Sequence, residues 1–230
     1  CKESGDSLDE DSIMIGDGIR KHMPADKGLV NIMTQAQIIL HNHAFNKKRR
    51  QEGNDLVNSI WVWGNGPRPA LPAFSAKYKL RGAVVTASPM FQGMAKSAGM
   101  KVVFVAGASG FPDTDYQGKV EAALAELEKQ DVVYLQITAP ERPSLQGNVD
   151  DKIRVLEDFD RQVAGPLLEA IENRKNVKML LAVNQMCSAN IMRFKKDPVP
   201  FAVYPASKGA DSVQQFDEAI LQSGAERYKS

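Results

Sequence analysis

Histidine is scarce in this chain and confined to its start: His22, His41 and His43 are the only three in 230 residues. Beyond position 43 nothing can act as an imidazole base or an imidazole metal ligand, which removes the commonest acid–base group from most of the chain. Cysteine is nearly as rare. Cys1 and Cys187 lie too far apart in sequence to suggest a disulfide framework, and they point to a reducing, cytoplasmic setting. No apolar run approaches the roughly 18 residues that span a bilayer, and no signal peptide opens the chain. The net charge of +1 supplies no field that would favour nucleic acid or an anionic membrane, so neither is expected as a partner. Internal repeats and low-complexity segments are missing too. The first residue is Cys1 rather than methionine, which suggests a processed product or a fragment.

What is present suits a globular core: 43% of residues are hydrophobic and 25% charged, enough for one large domain or two small ones. Residues 1–12 are acidic and polar and read as a loose start. "LVNIMTQAQIIL", 29–40, spaces its apolar residues as an amphipathic helix ending near His43. "NKKRRQEGND" reads as a polar loop or helix end. "SIWVW", 59–63, reads as a short strand, stopped by the Gly and Pro of "GNGPRPALP".

From Arg81 the rhythm changes. "GAVVTA", "KVVFVAG", "DVVYLQITAP", "VKMLLAV" and "VPFAVY" read as strands. Between and after them "MFQGMAKSAGM", "DYQGKVEAALAELEKQ", "VDDKIRVLEDFDRQVAGPLLEAIENR" and "SVQQFDEAILQSG" read as helices, the third with a kink or break at Gly165-Pro166. Alternating strands and helices predict an α/β fold with a layered, mostly parallel sheet. Apolar runs such as "VVFVA" and "MLLAV" suit strands covered on both faces.

Several short motifs invite chemistry and each has a plainer reading. "VFVAGASGF" followed by "YPASKGA", with Tyr204 and Lys208 at Tyr-x-x-x-Lys spacing, looks like pieces of a short-chain dehydrogenase. Gly107 and Gly110 lack the third glycine and the helix that would receive a pyrophosphate, and Pro112 interrupts the turn, so a glycine loop and a polar turn explain them better. "NKKRR", 46–50, could hold phosphate through charge-assisted donors, or be a solvated helix end. Trp61 and Trp63 would face opposite sides of a strand. Glu141 could be an acid, a base or a ligand, or simply pair with Arg142. Ser144 has no base partner, and Cys187 has no histidine in its half of the chain to activate it. "LAVNQMCSAN", 181–190, places Asn184 and Gln185 at a strand's carboxyl end, where α/β proteins gather ligands, yet both are neutral amides.

In order and spacing these segments resemble one family. "LHNHAFNKKRRQEGNDLVNSIWVWGNGPRPALPAF" is similar to a stretch of the archaeal-type cofactor-independent phosphoglycerate mutases, of the alkaline phosphatase superfamily. That stretch runs His-Pro-x-Asn-Lys-x-Arg, then Ala-Asn-x-Ile-Trp-x-Trp-Gly-x-Gly. "RGAVVTA", "GASGFPDTDYQGKVEAAL", "VLEDFDRQVAGPLLEAI" and "DPVPFAVY" resemble successive later blocks, so the likeness runs from about residue 20 to the end. The resemblance implies interconversion of 2- and 3-phosphoglycerate in glycolysis through a serine phosphoenzyme, assisted by two divalent metals (Mn, Mg or Zn). Paired metals suit this chemistry because they stabilise both the entering and the departing oxygen.

Mapped residue by residue, the resemblance also implies losses. The family's Asp-x-x-x-His ligands fall on Glu141 and Leu145, its later Asp-His pair on Asn184 and Gln185, and a further histidine on Phe194. No metal cofactor and no catalytic residue is therefore expected in this chain. The early strands that carry an Asp ligand and the nucleophilic serine have no counterpart, and the "GDG" at 16–18 reads as a loop. The expected organisation is residues 1–80 as part of an inserted cap-like domain and 81–230 as the carboxyl-terminal half of the core. Residual binding of a phosphorylated small molecule would use Asn46, Lys47, Arg49, Trp63, Arg68 and Lys96. Three functions remain open: a catalytically degenerate relative or fragment, a structural or interaction subunit with a protein partner, and a piece of an active mutase completed by a separate amino-terminal part.

Overall fold

The computed structural model describes residues 18–62, 70–206, 211–213 and 215–224, and its contacts group the chain into two units, 1–69 and 70–230. In the first unit a single 3-10 turn, Ile19–His22, precedes the helix Lys27–Asn42. Asp26 starts that helix: its carboxylate accepts from the backbone N–H of Gly28 at 2.6 Å and of Leu29 at 3.1 Å. His43 ends it by donating its N–H to Leu40 O, and then caps the next helix, Ala44–Gln51, by accepting from Phe45 N at Nδ1. The basic run 46–50 is thus helical throughout, because one residue closes one helix and opens the other.

Residues 59–62, expected as a strand, are irregular, and Trp63 lies outside the described residues. The alternation of "SIWVW" suits a strand, but among the described residues no strand pairs with it. Instead a side chain holds the preceding segment: Asn46 hydrogen bonds both the N–H and the C=O of Val57.

The second unit is built on a parallel sheet of order β2-β1-β3, with β1 at Gly82–Val85, β2 at Lys101–Val103 and β3 at Val132–Leu135. β1 is buried along its whole length, as a central parallel strand must be. Side chains alternate across β3. Leu135 faces the helix Tyr116–Leu127, and Tyr134 stacks on Phe91 of the helix Pro89–Ser97, at 6.2 Å between rings. The main core lies on the Leu135 side, where Tyr116, Val120, Ala139, Val155 and Val163 pack with Leu124, Ile137, Phe159 and Leu167.

The long helical segment is Val149–Phe159, one π turn at Asp160–Ala164, and Gly165–Ile171. The expected irregularity at Gly165-Pro166 is therefore a register change just before the proline, whose missing N–H cannot continue an α ladder. Beyond it, β4 (Met179–Ala182) pairs antiparallel with β7 (Phe201–Tyr204), and β5 (Met186–Ser188) forms a hairpin with β6 (Arg193–Lys195). The last two expected strands do not extend the parallel sheet; they pair with each other. Nor is β4 covered on both faces, since Leu180 is 64% exposed. The closing helix is only Ile220–Ser223, within the expected span 212–224. Among the described residues no helix is long and apolar enough to cross a membrane.

The Tyr116 hydroxyl sits in the core with no hydrogen-bond partner among the described residues, and burial, with Asp158 adding to it, pushes the phenol pKa up. Tyr116→Phe is expected to be neutral, or to stabilise by up to about 1 kcal/mol, because it removes a buried unpaired donor. A urea unfolding midpoint measures this; a clear loss of stability would show that the hydroxyl is bonded.

Candidate functional site

Loops at the carboxyl ends of the parallel strands bring several of the singled-out residues into one region. After β2 the glycine loop folds back on itself. Gly107 takes a positive φ of 74°, which glycine adopts without strain, and its carbonyl accepts from Asp115 N. Ser109 N donates to the Thr114 hydroxyl at 2.9 Å, and that hydroxyl donates back to Ser109 O at 2.8 Å. The fully buried Lys119 reaches in from its helix and donates to the same carbonyl at 2.9 Å. A loop closed this way is not a nucleotide cradle, which agrees with setting the dehydrogenase likeness aside.

After β3 the chain makes a short helix, Glu141–Leu145, and this helix packs against β5. Arg142 lies over the Phe111 ring at 4.7 Å, tying the helix to the glycine loop. Gly147, at φ 70°, turns the chain so closely past Met192 and Ala189 that a β-carbon there would meet the Met192 sulfur at 3.3 Å. The helix and the β5–β6 hairpin are thereby held together. Asn184 and Gln185 are exposed bends leading into that hairpin, and Phe194 is the register partner of Cys187. Lys152 Nζ donates to Cys187 O at 2.8 Å, and the buried Ser144 donates to Pro140 O at 2.8 Å.

Ser144 and Cys187 lie far apart in the sequence, and nothing in their spacing announces that they meet. In the structure the half-buried thiol lies within reach of Ser144, Lys152 and Glu141. Burial pushes the Cys187 pKa up, outweighing the Ser144 hydrogen bond and the Lys152 charge, which pull it down. The thiolate is the reactive form, so Cys187 is expected to alkylate with iodoacetamide more slowly than an exposed thiol at the same mildly alkaline pH. The rate should still climb with pH after the exposed thiol has levelled. Peptide mapping that separates Cys187 from Cys1 checks this, and equal rates would contradict it.

The resemblance implies divalent-ion ligands at positions 141, 145, 184, 185 and 194, and the residues present there do not fit a pair of such ions. Glu141 offers one carboxylate, Asn184 and Gln185 offer weakly donating neutral amides, and Leu145 and Phe194 offer hydrocarbon. Divalent ions need anionic or imidazole donors to offset the loss of hydration and charge, and this set has one.

In the first unit, the side chain of Asn46 is 2% exposed and already occupied. Its amide N–H groups go to Leu40 O at 2.7 Å and Val57 O at 2.6 Å, and its oxygen accepts from Val57 N at 3.0 Å. What remains is one acceptor lone pair, which cannot bond a phosphate oxygen. Asn46 also lines a cleft of about 410 Å³ with Ile19, Gln37, His41, Leu56, Asn58 and Ser59. Arg49 lies on the same helix face as Asn46 and packs over the Phe45 ring, with Nε donating to Asp55 O. Lys47, two residues away, points to a different side of the helix and is exposed. Lys96 is an exposed residue of the second unit, on Pro89–Ser97. Trp63 and Arg68 lie outside the described residues.

The fold and these loops define an α/β protein with its candidate site at the carboxyl ends of a parallel sheet. The chain belongs to the Metalloenzyme superfamily, whose sequence profile matches residues 15–222. A 2,3-bisphosphoglycerate-independent phosphoglycerate mutase of Methanothrix thermoacetophila is 38% identical over 215 residues, covering 92% of this chain and 55% of that protein. Among solved structures, a cofactor-independent phosphoglycerate mutase of Thermoplasma acidophilum is similar with a TM-score of 0.54 at 29% identity, over 89% of this chain and 51% of that one. A Pyrococcus horikoshii protein shares the fold with a TM-score of 0.70 at 24% identity, over 87% of this chain and 54% of that one. The chain spans about half the length of the curated relatives it matches.

Proposed function

We propose that this chain is a non-catalytic member of the phosphoglycerate mutase branch, keeping the fold and a weak affinity for phosphorylated three-carbon acids but not the two-metal chemistry. The observation that carries the reading is the pair Leu145 and Phe194, side chains with no lone pair at positions where the resemblance calls for imidazole. In this reading the first unit is part of the inserted domain, the second is the carboxyl-terminal half of the core, and the protein works in the reducing cytoplasm.

Residual anion binding would rest on Arg49, whose terminal nitrogens have no bonded partner among the described residues, and, as the resemblance implies, on Lys47, Trp63, Arg68 and Lys96. Asn46 contributes by bracing the backbone, since its donors are occupied. The test is a coupled assay of 2- and 3-phosphoglycerate interconversion with added Mn²⁺, run beside thermal shift with 3-phosphoglycerate. The reading predicts no turnover and a small stabilisation that Arg49→Ala abolishes. Turnover would overturn it, and the absence of any shift would remove the ligand-binding part.

A further inference from the structure

The turn that joins β5 to β6 holds a residue in an unusual backbone state. Met192, the last residue of that turn, takes a φ of 52°, a left-handed value that suits glycine or asparagine better. A larger residue persists there only where its surroundings hold it. The hold is Gly147. A β-carbon built on that glycine would lie 3.3 Å from the Met192 sulfur and 3.4 Å from its Cγ, so the thioether rests directly on the Gly147 backbone. Gly147 follows the helix Glu141–Leu145, and that helix packs against β5. One thioether contact thus clasps the turn to the helix, and Met192 is 46% exposed, so solvent reaches it. Met90 and Met94 are comparably exposed, but they sit on Pro89–Ser97, a helix held by its own backbone bonds.

We propose that Met192 is an oxidation site, and that its sulfoxide releases the β5–β6 hairpin from the helix Glu141–Leu145 and opens Cys187 to solvent. The oxidant is a peroxide. A sulfur lone pair attacks one peroxide oxygen, the O–O bond breaks, the other oxygen leaves as water, and the sulfur is oxidised by two electrons. The new sulfoxide oxygen is a polar acceptor that needs a donor. Gly147 cannot supply one, because its N–H already donates to Ser144 O at 3.2 Å. Swinging the side chain out to water removes what holds the backbone at 52°, and the turn relaxes. Cys187 lies in the loosened part, since its register partner is Phe194, two residues past Met192. Methionine responds first, because a thioether reacts without losing a proton whereas the thiol must become a thiolate. The proposal stands apart from the non-catalytic reading above, which concerns metal ligands.

The experiment exposes this chain to hydrogen peroxide, removes the oxidant with catalase and reduces thiols with dithiothreitol, which leaves methionine sulfoxide in place. Peptide mapping then reports sulfoxide at each methionine and the rate of iodoacetamide at Cys187. The expected result is sulfoxide at Met192 and Cys187 alkylation quickened at least about fivefold, the effect of a modest local opening. Amide exchange should quicken over 186–195 while β1 and β3 keep their protection. Methionine sulfoxide reductases should restore the slow rate. Met192→Leu keeps an apolar side chain over Gly147, so it should alkylate slowly before and after peroxide although Met90 and Met94 still oxidise. Met192 that resists peroxide, or an unchanged Cys187 rate once it is oxidised, would overturn the proposal. Quickening that persists in Met192→Leu, or protection lost over β1 and β3 as well, would do the same.

Discussion

Asn46→Ala is expected to unfold the first unit, or nearly so, while leaving the second intact. The substitution deletes three hydrogen bonds at once, takes their partner from Val57 O and Val57 N, and leaves Leu40 O with only the His43 N–H. At about 1 kcal/mol for each lost bond, and more for each partner left unsatisfied, the loss is about 3 kcal/mol. Among the described residues, only Met33 and Asn46 are buried within the helices of this unit. A small unit with so few buried side chains has no reserve against a loss of that size. Amide exchange read segment by segment is the measurement. Protection should vanish over the two helices and persist over β1 and β3. Asn46→Asp should be nearly as harmful, because the carboxylate accepts but cannot donate to the two carbonyls.

Lys119 carries the second large effect. It is the largest fully buried side chain among the described residues, and its ammonium bonds the Ser109 carbonyl inside the glycine loop. Lys119→Ala leaves a cavity along the stem and a Ser109 carbonyl that keeps only the Thr114 hydroxyl, a loss of about 3 kcal/mol. Lys119→Met keeps most of the volume and should cost about 1 kcal/mol, since losing the hydrogen bond is partly offset by no longer burying a charge. The two variants also differ from the parent in pH dependence. Burial lowers the lysine pKa, with Asp115 opposing it, so the folded protein holds this proton less tightly than the unfolded chain does. The penalty for the buried charge is present at neutral pH and fades as pH rises through the lowered value toward the ordinary lysine value. The parent should therefore gain stability over Lys119→Met as the solution becomes alkaline. Denaturant midpoints for both proteins along a pH series test this, and a constant difference would contradict the assignment.

The parts of the fold legible in the sequence were those set by local rules. The helix at 27–42 shows in the apolar spacing of 29–40, and β1, β2 and β3 show as short apolar runs. Pairing was not legible, because a strand's partner lies far away in the chain. "SIWVW" alternates correctly yet forms no strand through 62, and "MLLAV" and "VPFAVY" pair with each other rather than with the parallel sheet. The hairpin of Met186–Ser188 with Arg193–Lys195 has no apolar run or turn dipeptide to announce it.

For the candidate site, the identities at 141, 145, 184, 185 and 194 could be read directly, as could the chemistry they lack. That the helix Glu141–Leu145 would press on the hairpin, and that Cys187, Ser144 and Lys152 would gather there, depends on packing across more than 30 positions of chain. Asn46 is the opposite case. The resemblance implied a ligand contact for it, and only its three bonds reveal a brace.

The central claim is that this donor set does not hold a pair of divalent ions. Elemental analysis after equilibrium dialysis against Mn²⁺ tests it directly, with a variant carrying Leu145→His, Asn184→Asp, Gln185→His and Phe194→His alongside. The account predicts no stoichiometric manganese on the parent and at least one retained ion on the variant. Two ions held by the unaltered chain would contradict it.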